Sequence, residues 1–280
     1  MLRIANEPEF RNLPPSQIVP RLADRGIYVA SVSSFYRVLE RAKLTAHRGH
    51  AKEPEERAPV VRYATKPNQV WSWDITYLRG PVRGEFFYLY MVTDIYSRKV
   101  VASGVHDAES AEVAADLVRR AALRESVPLD QLTLHSDNGG PMRASKLLAT
   151  LRALGIAASF TRPRVSDDNA FSEALFRTLK YRPGFPRNGF RDLAHAERWA
   201  ADFVRWYHTE HLHSGIRFIR PIDRHDGREQ AILHARERLW SAAKARRPER
   251  WGSRATRNWE PAGRVSVRAR PAGEEGRTAA

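Results

Sequence analysis

The run VWSWDITYL at residues 70–78 constrains the fold more than any other stretch, because it sets a carboxylate in the middle of a strand. Val70, Trp71, Trp73, Ile75, Tyr77 and Leu78 are β-branched, aromatic or apolar, the composition that fits a pleated, packed surface. Alternation along a strand puts Trp71, Trp73, Ile75 and Tyr77 on one face and Ser72, Asp74 and Thr76 on the other. An ionised carboxylate in that setting is costly unless something pairs with it. A bound cation and a salt bridge would both serve, and the run alone leaves both open.

Two further acids narrow the choice. Asp137 closes the apolar run Leu132–Leu134 within LTLHSDNGG, followed by Asn138, Gly139 and Gly140. That pattern predicts a strand end opening into a tight turn, where side chains of α/β sheets converge on ligands, although an ordinary Asp-Asn-Gly turn reads the same way. Glu173 follows after 35 intervening residues, in DDNAFSEALFRTLK. Phe171, Leu175, Phe176 and Leu179 fall near helical spacing, and Ser166 to Asn169 offer N-cap chemistry just before them. Arg177 and Lys180 then project beside Glu173. An acid that holds metal beside bases that hold phosphate is one reading, and a solvated helical Glu–Arg pair is the other.

Taken in order, WSWDITYL from Trp71, FYLYMVTDIYSRKVVAS from Phe87, LHSDNG from Leu134, SDDNAFSEALFRTLK from Ser166 and WYHTEHLHSGIRFIRP from Trp206 resemble an OrfB-type insertion-sequence transposase with a retroviral-integrase-like core of the DDE superfamily. The likeness runs from about Leu2 to the region of Trp259 and includes Lys180, seven positions after the glutamate. It implies an RNase H-like core in which Asp74, Asp137 and Glu173 bind two divalent ions and catalyse DNA cleavage and strand transfer. It further implies DNA contacts from Lys180 and Arg177, and Asn138 and His135 lie close enough to join them. Oxygen-only ligation suits magnesium or manganese, and with no cysteine in the chain there is no soft-metal alternative.

Charge agrees with a polyanionic partner. The chain has 47 Lys and Arg against 32 Asp and Glu, a formal net charge of +15, which favours nucleic acid through counterion release. No apolar run approaches a membrane span and no secretory signal follows Met1, so a bacterial cytoplasm, close to the nucleoid, is the expected setting. The resemblance implies element ends and target DNA as substrates and a homo-oligomer on DNA. It also implies an upstream-frame helix-turn-helix partner or fused segment, so weak, salt-sensitive DNA binding is expected of this chain alone.

The expected fold is α/β, an RNase H-like mixed sheet flanked by helices and preceded by a small helical segment. Residues 1–44 carry two short helices, Ser16 to Arg25 and Ser34 to Ala42, around a Gly26 turn, a helix-turn-helix-like pattern. Residues 45–66 are a basic linker, 67–215 the catalytic core, and 216–280 a basic segment with 16 Arg and Lys against 8 acids, disordered after about Ala262. Within the core, strands are predicted at 70–78, 85–94, 99–105, 132–137 and 157–161, and helices at 110–125, 145–154, around Glu173 and at 192–207.

Other residues have competing readings. Asp94 ends the second strand as a site carboxylate or a structural hydrogen bonder, and Asp167 and Asp168 suit helix capping. His208, His211 and His213 lack a carboxylate or cysteine at ligand spacing. The alternative to an active transposase is a catalytically idle DNA-binding remnant, repressor-like at element ends; a third reading, an RNase H-like nuclease, leaves the helical start unexplained.

Overall fold

A computed structural model describes residues 1–44, 61–137, 139–161, 169–251 and 255–267. Residues 45–60 of the expected linker, Asn138, Ser166, Asp167 and Asp168 lie outside that set. The chain divides into two units, Met1–Ala58 and Pro59–Ala280.

The first unit holds α1 (Leu2–Ala5), α2 (Pro15–Asp24) and α3 (Val32–Arg41). Pro15 opens α2 at a position where its missing N–H costs nothing, and the Ser31 hydroxyl caps α3 by accepting from the Ser34 N–H at 3.2 Å. Ile18 and Leu22 of α2 meet Phe35 and Leu39 of α3, with Ala5 and Phe10 closing a small core. Gly26 turns between the helices at φ +74°, a conformation glycine adopts without strain.

The second unit begins with β1 (Arg62–Ala64), then β2 (Val70–Arg79), β3 (Phe86–Asp94) and β4 (Val100–His106). Next come α4 (Ala111–Arg124), β5 (Thr133–Ser136), α5 (Gly140–Arg143), α6 (Ser145–Ala153) and β6 (Ala157–Phe160). α7 (Ala170–Tyr181), α8 (Leu193–Thr209), α9 (Pro221–His225), α10 (Glu229–Arg246) and β7 (Val265–Val267) complete it. The main sheet has the order β4-β3-β2-β5-β6. β2, β3 and β4 form an antiparallel meander, and β5 and β6 join β2 in parallel. This is the mixed α/β, RNase H-like arrangement expected from the sequence.

Each face of the sheet buries its own core. Trp71 and Trp73 pack with Val118, Ala121, Leu147 and Leu151 beneath α4 and α6. Leu78, Leu89 and Met91 pack with Leu175, Phe176 and Leu179 of α7 and Phe203 of α8 on the other. Burying a side chain of this size contributes about 2–3 kcal/mol, so the alternation in β2 fixes which helices lie on which side.

Two features depart from expectation. β1 falls within the stretch read as linker, and β7 falls within the tail read as disordered; they pair antiparallel, with Ala64 opposite Val265. Ala64 and Val267 are buried with Val70 and Ile95, so apolar burial orders a segment whose composition reads as a solvated tail.

Candidate active site

Asp74 sits at the centre of β2, half-buried between the buried Ser72 and Thr76 on its own face. Parallel pairing sets Trp71 beside Leu134 and Ser72 beside His135. Carrying that register two residues further brings Asp137, just past β5, alongside Asp74. Glu173 comes from the first turn of α7, which packs across β2.

α7 is oriented by its apolar stripe. Ser172, Leu175, Phe176 and Leu179 are buried, while Glu173, Arg177 and Lys180 are exposed together. Burial pushes the Asp74 carboxyl up to about 7, the charges of Asp137 and Glu173 push the same way, and the Ile75 N–H and Lys180 oppose them. That N–H donates to Asp74 Oδ1 at 2.8 Å. The structure thus brings three acids and one lysine from three elements within each other's fields. They are not drawn tight: among the described residues no three His, Asp or Glu side chains form a group that could hold a metal ion. Asp137 Oδ1 accepts from the Gly139 N–H at 2.9 Å, within its own turn.

The four sequence-derived DNA contacts fare differently. Lys180 and Arg177 are exposed beside Glu173, with the Arg177 guanidinium 5.8 Å from the Tyr181 ring centre. Asn138 is outside the described residues. His135 is fully buried, its Nδ1 3.1 Å from Ser159 Oγ, and it has no surface to offer DNA. The sequence could not show this, because LHSDNG reads as a strand opening into a turn while the strand is covered on both faces.

Asp94 is a turn-former. It is fully buried and accepts from the N–H groups of Asn68 and Ser97 and the Ser97 hydroxyl, each at 2.7 Å. Ser97 Oγ lies 2.9 Å from His225 Nδ1, and His225 Nε2 lies 2.9 Å from Glu125, so α9 is tied to the sheet and α4. No sequence reading singled out Ser97, Glu125 or His225; the Asp-x-x-Ser spacing of a side-chain-capped turn was the available signal for the first. The later histidines face backbone and rings: His208 Nε2 accepts from the Val100 N–H at 3.0 Å, His213 Nδ1 accepts from Gly215 N–H at 3.1 Å, and His211 stacks on Tyr207. No helix among the described residues is long and apolar enough to cross a membrane.

Two family models, both described as an integrase core domain, match residues 64–166 and 154–221, together more than half of the chain. Residues 64–221 carry an integrase core domain. This core spans the sheet, α7 and α8, the elements that carry all three acids. Similar curated proteins include the transposase of insertion sequence IS904 from Lactococcus lactis, 31% identical over 161 residues, covering 57% of this chain and 62% of that one. The putative transposase InsK of IS150 from Escherichia coli is 25% identical, covering 65% of this chain and 64% of its own length. The transposase InsF of IS3A, also from Escherichia coli, is 33% identical over 42% of this chain and 40% of its own. The chain therefore spans less than two thirds of these relatives. Among solved structures, the HTLV-2 integrase catalytic core in complex with magnesium aligns at TM-score 0.40 and 16% identity, over 57% of this chain and 96% of that one. A simian T-cell lymphotropic virus intasome in complex with a PP2A regulatory subunit aligns at TM-score 0.46 and 14% identity, over 78% of this chain and 72% of that one.

Proposed function

We propose that the protein is an insertion-sequence transposase whose integrase core cleaves DNA and transfers strands, using Asp74, Asp137 and Glu173 as its catalytic acids. The observation that carries this is the convergence of those acids from β2, the end of β5 and α7, each registered in the electrostatics of Asp74. An aspartate held up at about 7 by burial and two neighbouring carboxylates is a group that positive charge would stabilise. The donor set is all oxygen, which fits magnesium or manganese.

Two divalent ions, when bound, supply Lewis acidity toward the attacking and leaving oxygens of an in-line displacement. The chain's residues do the rest. Asp74 on β2 and Asp137 just past the end of the adjacent β5 would hold the ions at a constant place beside the sheet, and Glu173 would approach from the helix. Lys180 and Arg177, exposed on the same side of α7, would hold the phosphodiester against those acids. No side chain needs to form a covalent intermediate, so one site serves first a water and then a DNA 3′-hydroxyl as attacker. The helix-turn-helix-like first unit would contribute DNA contacts, and element ends, target DNA, an upstream-frame partner and further copies of this chain complete the proposed assembly.

The test supplies labelled element-end DNA with magnesium or manganese to the purified chain, with and without the upstream-frame protein. Nicked and joined products that require the ion and vanish in Glu173→Gln are expected. Products that persist unchanged in that variant would remove Glu173 from the site and overturn the proposal.

A further inference from the structure

Asn169 stands at the N-terminal boundary of α7, where its side chain would be expected to cap the helix, yet it makes no cap hydrogen bond. It is turned into the sheet instead. Its Oδ1 accepts from Ser72 Oγ at 2.5 Å, and its Nδ2 donates to the Trp73 carbonyl at 3.4 Å. Ser72 Oγ also lies 2.8 Å from Ser172 Oγ. Ser72, Asn169 and Ser172 are 0%, 4% and 2% exposed, so water cannot replace these bonds.

The donor inventory allows one ordering. Ser72 has a single hydroxyl proton, which goes to Asn169 Oδ1, so Ser172 must donate to Ser72. The amide orientation is fixed as well, since the reverse would set Asn169 Oδ1 against the Trp73 carbonyl oxygen. The resulting chain of bonds runs from Ser172 to Ser72 to Asn169 to Trp73. Ser172 immediately precedes Glu173, and Trp73 immediately precedes Asp74. The tie therefore ends one residue from each of two acids, on the two elements that must be held at a fixed separation.

Apolar packing alone would not set that separation. Leu175, Phe176 and Leu179 hold α7 to the core through contacts that tolerate sliding, whereas hydrogen bonds fix both the rotation and the height of its first turn. We propose that Asn169, with Ser72 and Ser172, is a positioning group that locks the first turn of α7 to β2 and so sets the spacing of Glu173 from Asp74 for cation binding. This rests on the reading that these acids share divalent ions, and it adds residues that touch neither ion nor DNA.

The test measures manganese binding by the full chain through the electron paramagnetic resonance signal of free Mn²⁺, alongside thermal melting. Wild type is compared with Asn169→Ala, Ser72→Ala, Ser72→Thr and the Asn169→Ala/Ser72→Ala double variant, with Asp74→Asn as control. The tie touches neither carboxylate and acts through the backbone beside each, so Asn169→Ala and Ser72→Ala should each weaken binding by about tenfold, the low end of what loss of a ligand's own hydrogen-bond partner costs. The double variant should be no weaker than the worse single one, because both break one tie. Ser72→Thr keeps the hydroxyl and should retain affinity, which separates loss of the bond from general loosening. If Asn169→Ala does not fold, Ser72→Ala carries the test alone. Wild-type affinity in Asn169→Ala and Ser72→Ala, with Asp74→Asn abolishing binding, would overturn the tie and leave the acid site standing. Binding unaffected by Asp74→Asn would overturn the acid site, and the tie with it.

Discussion

In the proposed site, Asp74 is the residue whose burial costs the fold stability. Its carboxyl is half-buried and pushed up to about 7 by burial first and by Asp137 and Glu173 next. Asp74→Asn keeps the shape and removes the charge. It should abolish ion-dependent cleavage, a loss of about a thousandfold or more, while the melting temperature stays level or rises; a fall of several degrees would show that the carboxylate supports the fold. Gly139 matters for a neighbouring reason. A methyl group there would lie 3.1 Å from Asp137 Oδ1 and 2.9 Å from Met142 Sδ. The thioether can swing away, so Gly139→Ala should displace the Asp137 carboxylate and cut cleavage with little change in melting temperature, checked by assaying both on one preparation. The side of Asp74 was legible because strand alternation leaves two choices and the tryptophans take one. The burial of His135 was not, because it depends on β5 lying between β2 and β6, with Ser159 of β6 against its ring, and neither neighbour is visible in the local pattern.

Elements with a local apolar pattern were legible, the short β5 and β6 among them, and the pair β1 and β7 was not. β2, β3, α4 and α8 carry full periods of apolar residues, and their observed bounds lie within about two residues of those read from the sequence. β1 and β7 are three residues each and pair across some two hundred positions, so no local window contains their signal. The N-terminus of α7 misled differently: Asn169 has capping chemistry, but buried polar partners on β2 claim it. The α8–β4 contact gives a pH dependence. Burial first, then the Lys99 and His225 charges, hold His208 down at about 4, while its Nε2 accepts from the Val100 N–H. As pH falls below about 6.5 the unfolded chain binds a proton that the folded one refuses. Stability from this group is complete above that pH and is lost progressively down to about 4, by up to about 3 kcal/mol. His208→Gln should flatten the decline seen in denaturation curves between pH 7 and about 4.5; an unchanged slope would assign the loss elsewhere.

Over the whole molecule, charge and strand pairing set the expectations. A net charge of +15 predicts DNA binding by the chain that falls steeply with salt, by about a thousandfold between about 50 and 200 mM if roughly six phosphates are contacted. Tight, salt-resistant binding to a single sequence would contradict this. The pairing of β1 with β7 joins the two ends of the second unit, burying Val267 with Ala64, Val70 and Ile95. Ending the chain after Arg264 removes β7 but keeps the Ala262 and Gly263 carbonyls that accept from the buried Arg224. It should cost about 2–3 kcal/mol in denaturant unfolding; no loss would make β7 dispensable.

The proposed function requires that acids from β2, the β5 end and α7 act as one catalytic unit. Its most direct test is the rate of manganese-dependent cleavage of element-end DNA by Asp74→Asn, Asp137→Asn, Glu173→Gln and the triple variant, each verified as folded. Groups that act together are strongly non-additive, so each single variant should fall to the rate of the triple. Any single variant cleaving well above the triple would show that its residue stands outside the site.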